Sequence, residues 1–357
     1  VSTIGGHDPR DGQSVGSELE DGRSVSSAPD SPTMVQVLDK PRPIKAPSSP
    51  ADRVFHGVLH AGGFAVLVIT GLIALFLILK AAGVLHKVGW RFLTNFQWRL
   101  AGNQIGVGAV LVDGTIIAII ALAIAIPSAL ALALFISEYA PPGLRRVMVA
   151  LVDLMAAIPS ILFGLWGFFF LMPRAVGTGR WISDHLGFLP FLKVPYTTFL
   201  PGDFENSTLL AGVVVSLMII PIVASISRQV FSQAPENERE AAYALGSTRW
   251  GMIRTVVLPY GRGGVIGAVM LGFGRAMGET VVIAIIISPV FKIVTRLPQS
   301  GGNSIASLIA NFAQESSPEA LAALIAAGLV LFVVTLVVNA FAGIIVARSR
   351  SGLQTTD

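Results

Sequence analysis

Three observations predict an all-α membrane protein with six transmembrane helices. Apolar residues make up 53% of the 357-residue chain and charged residues 13%, a balance a water-soluble domain of this length does not show. Six uncharged, or nearly uncharged, runs approach or exceed the ~20 residues needed to cross a hydrocarbon core of ~30 Å. The segments on one side of these runs carry more basic residues in total than those on the other, as the positive-inside rule asks.

Residues 1–50 are rich in Ser, Gly, Pro and Asp and lack apolar periodicity. Such a segment buries too little surface to offset its ordering entropy, so a disordered cytoplasmic tail is expected. Lys40, Arg42, Lys45 and Arg53 precede the first span, within reach of anionic lipid headgroups. The tail's length also argues against reading the first apolar run as a cleaved secretory signal. That run covers 61–79 and ends at Lys80, which can snorkel. The second is 114–137, containing Pro127; the third is 154–172, with Pro159; the fourth is 207–227, with Pro221. The fifth is 263–289 and the sixth 320–347, with the permease domain as a whole spanning 51–350 and a short cytoplasmic tail at 351–357. An even number of spans leaves both termini on one side.

Basic residues orient the bundle. With the N-terminus inside, fifteen Lys and Arg lie in cytoplasmic segments and nine outside, so N- and C-termini are expected in the cytoplasm. The outer segments 173–206 and 291–319 are too long to be turns and carry many Pro, Gly and aromatic residues. They suit a docking surface for an external partner or a lid over the bundle.

The fifth span holds two opposite charges, Arg275 and Glu279, in Gly272-Phe273-Gly274-Arg275-Ala276-Met277-Gly278-Glu279-Thr280. On an uninterrupted helix they share a face one turn apart. A charge in a span costs several kcal/mol and faces a partner or a polar path. A structural ion pair and a gate for a charged solute both satisfy that rule. Gly274 and Gly278 form a GxxxG pair that permits close helix contact.

The cytoplasmic segment 228–262 reads as helix–turn–helix. Pro235 sits at a helix start, with Glu236 and Glu238 near the positive end of the dipole. Gly246 stops that helix, Ser247 or Thr248 caps a second, and Pro259 ends it.

Several functions are excluded. Without cysteine there is no disulfide, thiol nucleophile or thiolate metal site. His56 and His60 have helical spacing but no acidic partner follows that pattern, so no metal site is expected. No Gly-Lys dipeptide occurs, so no phosphate-cradling nucleotide loop exists in the usual form. The glycines at 272, 274 and 278 have the wrong spacing for a dinucleotide fingerprint. Nothing calls for a nucleic-acid partner.

Glu240-Ala241-Ala242, three residues, Gly246, nine residues, then Val256-x-Leu258-Pro259 resembles the EAA loop of binding-protein-dependent ABC importer permeases, with Val256 where isoleucine is usual. The resemblance implies the type I ABC importer permease fold. It also implies that this loop is a coupling helix seated in an ATPase groove, with Glu240, Ala241, Ala242, Gly246 and Pro259 as contact or shape positions. The segment around Arg275, together with Ala157-Ile158-Pro159-Ser160 and Gly164-Leu165-Trp166-Gly167, is similar to the PstC-type permease of the phosphate ABC importer. This likeness covers 51–348 and implies a non-catalytic subunit of the plasma (inner) membrane. Its implied partners are a homologous PstA-type permease, an ATPase dimer and an external phosphate-binding protein. No cofactor is implied on this chain, ATP and Mg belonging to the ATPase. Arg275, Glu279, Thr280 and Ser160 would line the substrate path. A permease for another oxyanion (sulfate, molybdate or phosphonate) would share the loop. An ion-coupled secondary transporter or anion channel would need inverted repeats, which are not evident.

Deleting residues 1–50 is expected to leave phosphate uptake largely intact, because the segment is too polar to belong to the bundle. Uptake by the truncated, assembled complex measures this; assembly without transport would give the tail a role in the cycle.

Overall fold

A computed structural model describes residues 50–99, 104–194, 204–314 and 317–350. The tails expected at 1–50, apart from Pro50, and at 351–357 lie outside the described residues. The chain divides into two units, 1–60 and 61–357. The described part of the first, 50–60, is helical.

Six helical stretches are long and apolar enough to cross a membrane: Pro50–Val88, Gly108–Tyr139, Ser160–His185, Thr208–Ser232, Arg249–Met277 and Pro318–Val346. In chain order, α1 is Pro50–Val88 and α2 is Arg91–Thr94. A small antiparallel ribbon comes next, with β1 (Trp98–Arg99) pairing Trp98 to Ile105 of β2 (Gln104–Ile105). Then come α3 (Gly108–Leu134), α4 (Pro142–Ala157), α5 (Ser160–Trp166), α6 (Met172–His185) and α7 (Thr208–Ser232). The remainder are α8 (Glu236–Ala244), α9 (Arg249–Met252), α10 (Leu258–Met277), α11 (Val281–Ile286), α12 (Ile305–Phe312) and α13 (Pro318–Arg350).

The core is built on α3 and α7. Ala118, Ala121, Ala125 and Ala129 are fully buried, and their spacing lines one face of α3 with small side chains. Val214, Val215, Met218 and Ile219 of α7 belong to the same buried cluster. Small residues let helices approach closely, which drives association where lipid is as apolar as leucine. Gly212 of α7 marks a close approach to α3: a Cβ there would lie 2.5 Å from Ile120 Cγ2. Gly261, Gly264 and Gly272 bring α10 onto α7, against Phe231, Val230 and Ile219 respectively. The expected packing pair Gly274/Gly278 does not do this within the chain. A Cβ at Gly274 would come no closer than 3.9 Å to Asn339 Oδ1, and at Gly278 it would meet only carbonyl oxygens of its own turn.

Two spans differ from expectation, both because of backbone chemistry. The third run breaks at Ile158-Pro159, whose ψ angles of 128° and 138° are extended. Proline disfavours the helical region for its predecessor. The membrane-spanning stretch therefore begins at Ser160 and continues to His185, so the first part of the loop expected at 173–206 is helical. The fifth span begins earlier than expected, at Arg249, and stops at Met277. Gly278 caps it, donating its N–H to the Gly274 carbonyl at 3.1 Å. Nor does Pro259 break the helix. A π-helical turn, Ile253–Val257, precedes it, with the Leu258 N–H reaching back five residues to Ile253 O. Similar turns occupy Phe135–Tyr139 and Gly167–Leu171.

The two long segments expected on the outer face are knitted together. Leu297 donates its N–H to Phe191 O at 2.9 Å and accepts from Leu209 N–H at 3.0 Å. Asn206 Nδ2 donates to Ile286 O at 2.7 Å, and Asp113 Oδ1, on fully buried Asp113 of α3, accepts from the Val294 N–H at 3.3 Å.

Gly212→Val should overpack the α3–α7 contact and cost about 1–3 kcal/mol. Gly267, with nothing within 4 Å of its Cβ position, should accept alanine with a gain of roughly 0.5–1 kcal/mol from helix propensity. Thermal unfolding in detergent should rank the variants Gly267→Ala, wild type, Gly212→Val.

Candidate functional site

Two chain breaks inside the bundle stand side by side. At the first, Pro159 ends the extended stretch and half-buried Ser160 opens α5. At the second, Gly278, Glu279 and Thr280 separate α10 from α11. The short helices beyond these breaks, α5 and α11, pack together. A Cβ at Gly164 would lie 3.3 Å from Val282 Cα, and one at Gly167 would lie 2.9 Å from Ile286 Cδ1. Glycine lets the two segments approach closely there, Gly164 against the α11 backbone and Gly167 against side chains of α11 and α7. Ser160 and Thr280 thus stand at the starts of two adjacent helices.

The break changes the relation between Arg275 and Glu279. Arg275 lies in the last turn of α10 and is exposed; Glu279 lies beyond the helix end and is 7% exposed. No ion pair joins them among the described residues. Instead, Glu279 Oε1 accepts the Val282 N–H at 3.2 Å, satisfying an otherwise orphaned donor at the start of α11. Thr280 Oγ1 donates to Gly278 O at 3.3 Å. The i,i+4 reading assumed a continuous helix, and glycine ends it before the second charge. Arg275 is left with no carboxylate partner among the described residues.

The second constellation is the knob formed by α8 and α9. Pro235 precedes α8 and Glu236 and Glu238 lie in its first turn, as the sequence suggests. Gly246 adopts φ +81°, and its N–H and that of Ser247 bond back to Tyr243 O (2.9 Å) and Ala242 O (3.0 Å). Those bonds reverse the chain and satisfy the last carbonyls of α8. Thr248, rather than Ser247, caps α9, its Oγ1 accepting from the Gly251 N–H at 3.1 Å. Ala133, Phe231, Ala234, Met252, Ile253 and Val257 form a buried apolar seat beneath. Above it, Glu240 and Ala241 are exposed, Ala242 is half-buried, and Leu245 and Trp250 are 88% and 56% exposed. Large apolar side chains held outward on a rigid turn mark a protein-contact surface.

A six-span helical bundle, with paired breaks inside it and a rigid helical knob at one end, is the architecture of a multi-pass membrane transport subunit. The chain belongs to the binding-protein-dependent transport system inner membrane component family, whose model matches residues 125–351. Proteins called "Phosphate transport system permease protein PstC 2" from Mycobacterium bovis and Mycobacterium tuberculosis are 39% identical over 326 residues, covering 89% of this chain and all of those relatives. The "Phosphate transport system permease protein PstC" of Xylella fastidiosa is 37% identical over 84% of this chain and 90% of its own length. Among solved structures, one chain of a bacterial ABC transporter that imports alginate, an acidic polysaccharide, aligns with a TM-score of 0.54. It is 18% identical and covers 83% of this chain and 99% of its own, a likeness of fold.

Gly246→Val should strain the turn by about 1–2 kcal/mol, since a left-handed backbone clashes with a side chain, most of all a branched one. Protease cleavage at residues 244–250 should rise in that variant. Gly246→Asn, which tolerates this conformation better, should fall between it and wild type.

Proposed function

We propose that this chain is the membrane permease subunit of an ATP-driven importer that carries inorganic phosphate from an external binding protein into the cytoplasm. The observation that carries the substrate assignment is the likeness to PstC permeases, which extends over 89% of the chain and the whole length of the mycobacterial relatives. The exposed knob at Leu245 and Trp250 supports coupling to a separate ATPase. The subunit itself performs no hydrolysis and binds no cofactor; ATP and Mg act on the ATPase dimer, and a PstA-type permease completes the membrane part. The termini lie in the cytoplasm, which puts the knob on the ATPase side.

Arg275 supplies the positive charge of the path. An exposed guanidinium within a span is tolerated only against water, a partner subunit or an anion. Its planar fork matches a tetrahedral oxyanion in charge and geometry. With Glu279 occupied at the start of α11, the arginine attracts phosphate without a competing carboxylate. Ser160 and Thr280 offer hydroxyls at the two helix starts. Glu240, Ala241, Ala242, Gly246 and Pro259 serve the coupling surface.

In proteoliposomes containing the assembled transporter, Arg275→Gln should abolish phosphate uptake while the ATPase remains bound. Arg275→Lys should recover part of it, since it keeps the charge without the fork. Glu279→Gln keeps an acceptor for the Val282 N–H and should transport far better than Glu279→Ala. Equal loss in both Glu279 variants would restore the ion-pair gate. Excess sulfate or molybdate should leave uptake unchanged; competition at equal concentration would reassign the substrate.

A further inference from the structure

Two arginines, one on each side of Gly246, fasten the knob to the end of the second span. Arg239 of α8 directs Nη1 to both carboxylate oxygens of Glu138, at 3.1 and 2.9 Å. Its Nη2 donates to Phe231 O at 2.6 Å, and its Nε to Ala234 O at 3.3 Å. Glu138 is 6% exposed and belongs to the π-helical turn Phe135–Tyr139 that ends the second span. The adjoining residue, Tyr139, places its ring under the Arg249 guanidinium of α9, 4.9 Å from Cζ to centroid. Phe231 lies in the last turn of α7 and Ala234 just beyond; Phe231 O also accepts the Ala234 N–H at 3.3 Å, so Arg239 adds a further donor to a carbonyl at that helix end.

One planar group therefore binds three elements at once: α8, the end of the second span and the end of the fourth. The apolar side chains of the seat beneath hold the knob by packing alone, without hydrogen bonds. The fork is directional, with each N–H committed to an acceptor of fixed position. Of the neighbouring titratable groups, Arg145 and Glu236 line the cavity that borders Arg239. No ion pair links Glu236 to it, and Arg145 carries the same charge.

We infer that Arg239 is a positioning residue that makes α8 move as one body with the second and fourth spans, so that ATPase closure is delivered to both together. This rests on the coupling role given to the knob above. Tyr139 and Arg249 supply a second, weaker attachment on the α9 side. That pair resists rotation of the knob about the Arg239 contact.

The test uses the complete transporter in proteoliposomes with phosphate-loaded binding protein. In Arg239→Gln, the ATPase should still copurify and basal ATP hydrolysis should be unchanged. Binding-protein-stimulated hydrolysis and phosphate uptake should fall about tenfold or more, the scale of a coupling free energy between distant sites. Arg239→Lys should lie between, since a single ammonium cannot reach all three acceptors. The chain has no cysteine, so Ser137→Cys and Glu236→Cys, which line one cavity, can be bridged by a thiol-reactive cross-linker. In the Arg239→Gln background the bridge should restore stimulation, which a merely destabilised subunit would not show. Normal stimulated uptake in Arg239→Gln would overturn the inference. So would loss of the ATPase from that variant, which would make the residue a docking element. Absence of an ATPase from the wild-type complex would instead strike at the coupling reading itself.

Discussion

The constraint on which this structure depends is that hydrocarbon offers no hydrogen bonds, so each backbone N–H and C=O in a span must be satisfied by the protein itself. Proline lacks a donor and its ring presses on the carbonyl four residues earlier. Among the described residues, three π-helical turns each end two residues before a proline: Tyr139 before Pro141, Leu171 before Pro173 and Val257 before Pro259. In each, the residue just before the proline donates to a carbonyl five positions back. The wider turn shifts the hydrogen-bond register so that the ring meets less crowding. At two of the three sites the helix continues through the proline.

The same accounting explains the breaks. Where Gly278 ends α10, Glu279 uses its carboxylate to satisfy a donor of α11. A charged side chain is thereby committed to backbone chemistry, and its neighbour Arg275 is left with no carboxylate partner among the described residues. The possibility of an anion path arises from that separation. At the knob, Arg239 pairs with Glu138 while donating to carbonyls at and just beyond the end of α7. In both places a polar demand of the backbone determines where charge is available for function.

Close packing arises from small residues at helical spacing. Gly261, Ala268, Gly272 and Ala276 form a buried stripe along α10, and buried alanines line α3. The stripe is present in the sequence as plainly as the GxxxG pair at Gly274 and Gly278. The two patterns differ in which face meets α7, and periodicity alone does not rank faces. Likewise, the Gly164-Leu165-Trp166-Gly167 segment has a physical basis: its two glycines let α5 and the turn after it lie against α11.

By itself the sequence determined the six apolar stretches, the helix–glycine–helix knob and the family pattern in it. Composition and turn residues act locally: an uncharged run must leave water, Gly246 supplies a left-handed turn, and Thr248 caps the next helix. Tertiary structure alone decided where spans begin and end around Pro159, Pro259 and Gly278, and which charges meet. The Arg239–Glu138 pair joins residues 101 positions apart, while Arg275 and Glu279, four apart, do not pair. The reason is physical: a helical wheel presumes an unbroken helix, and whether a proline or glycine interrupts one depends on which neighbours can satisfy the freed backbone groups.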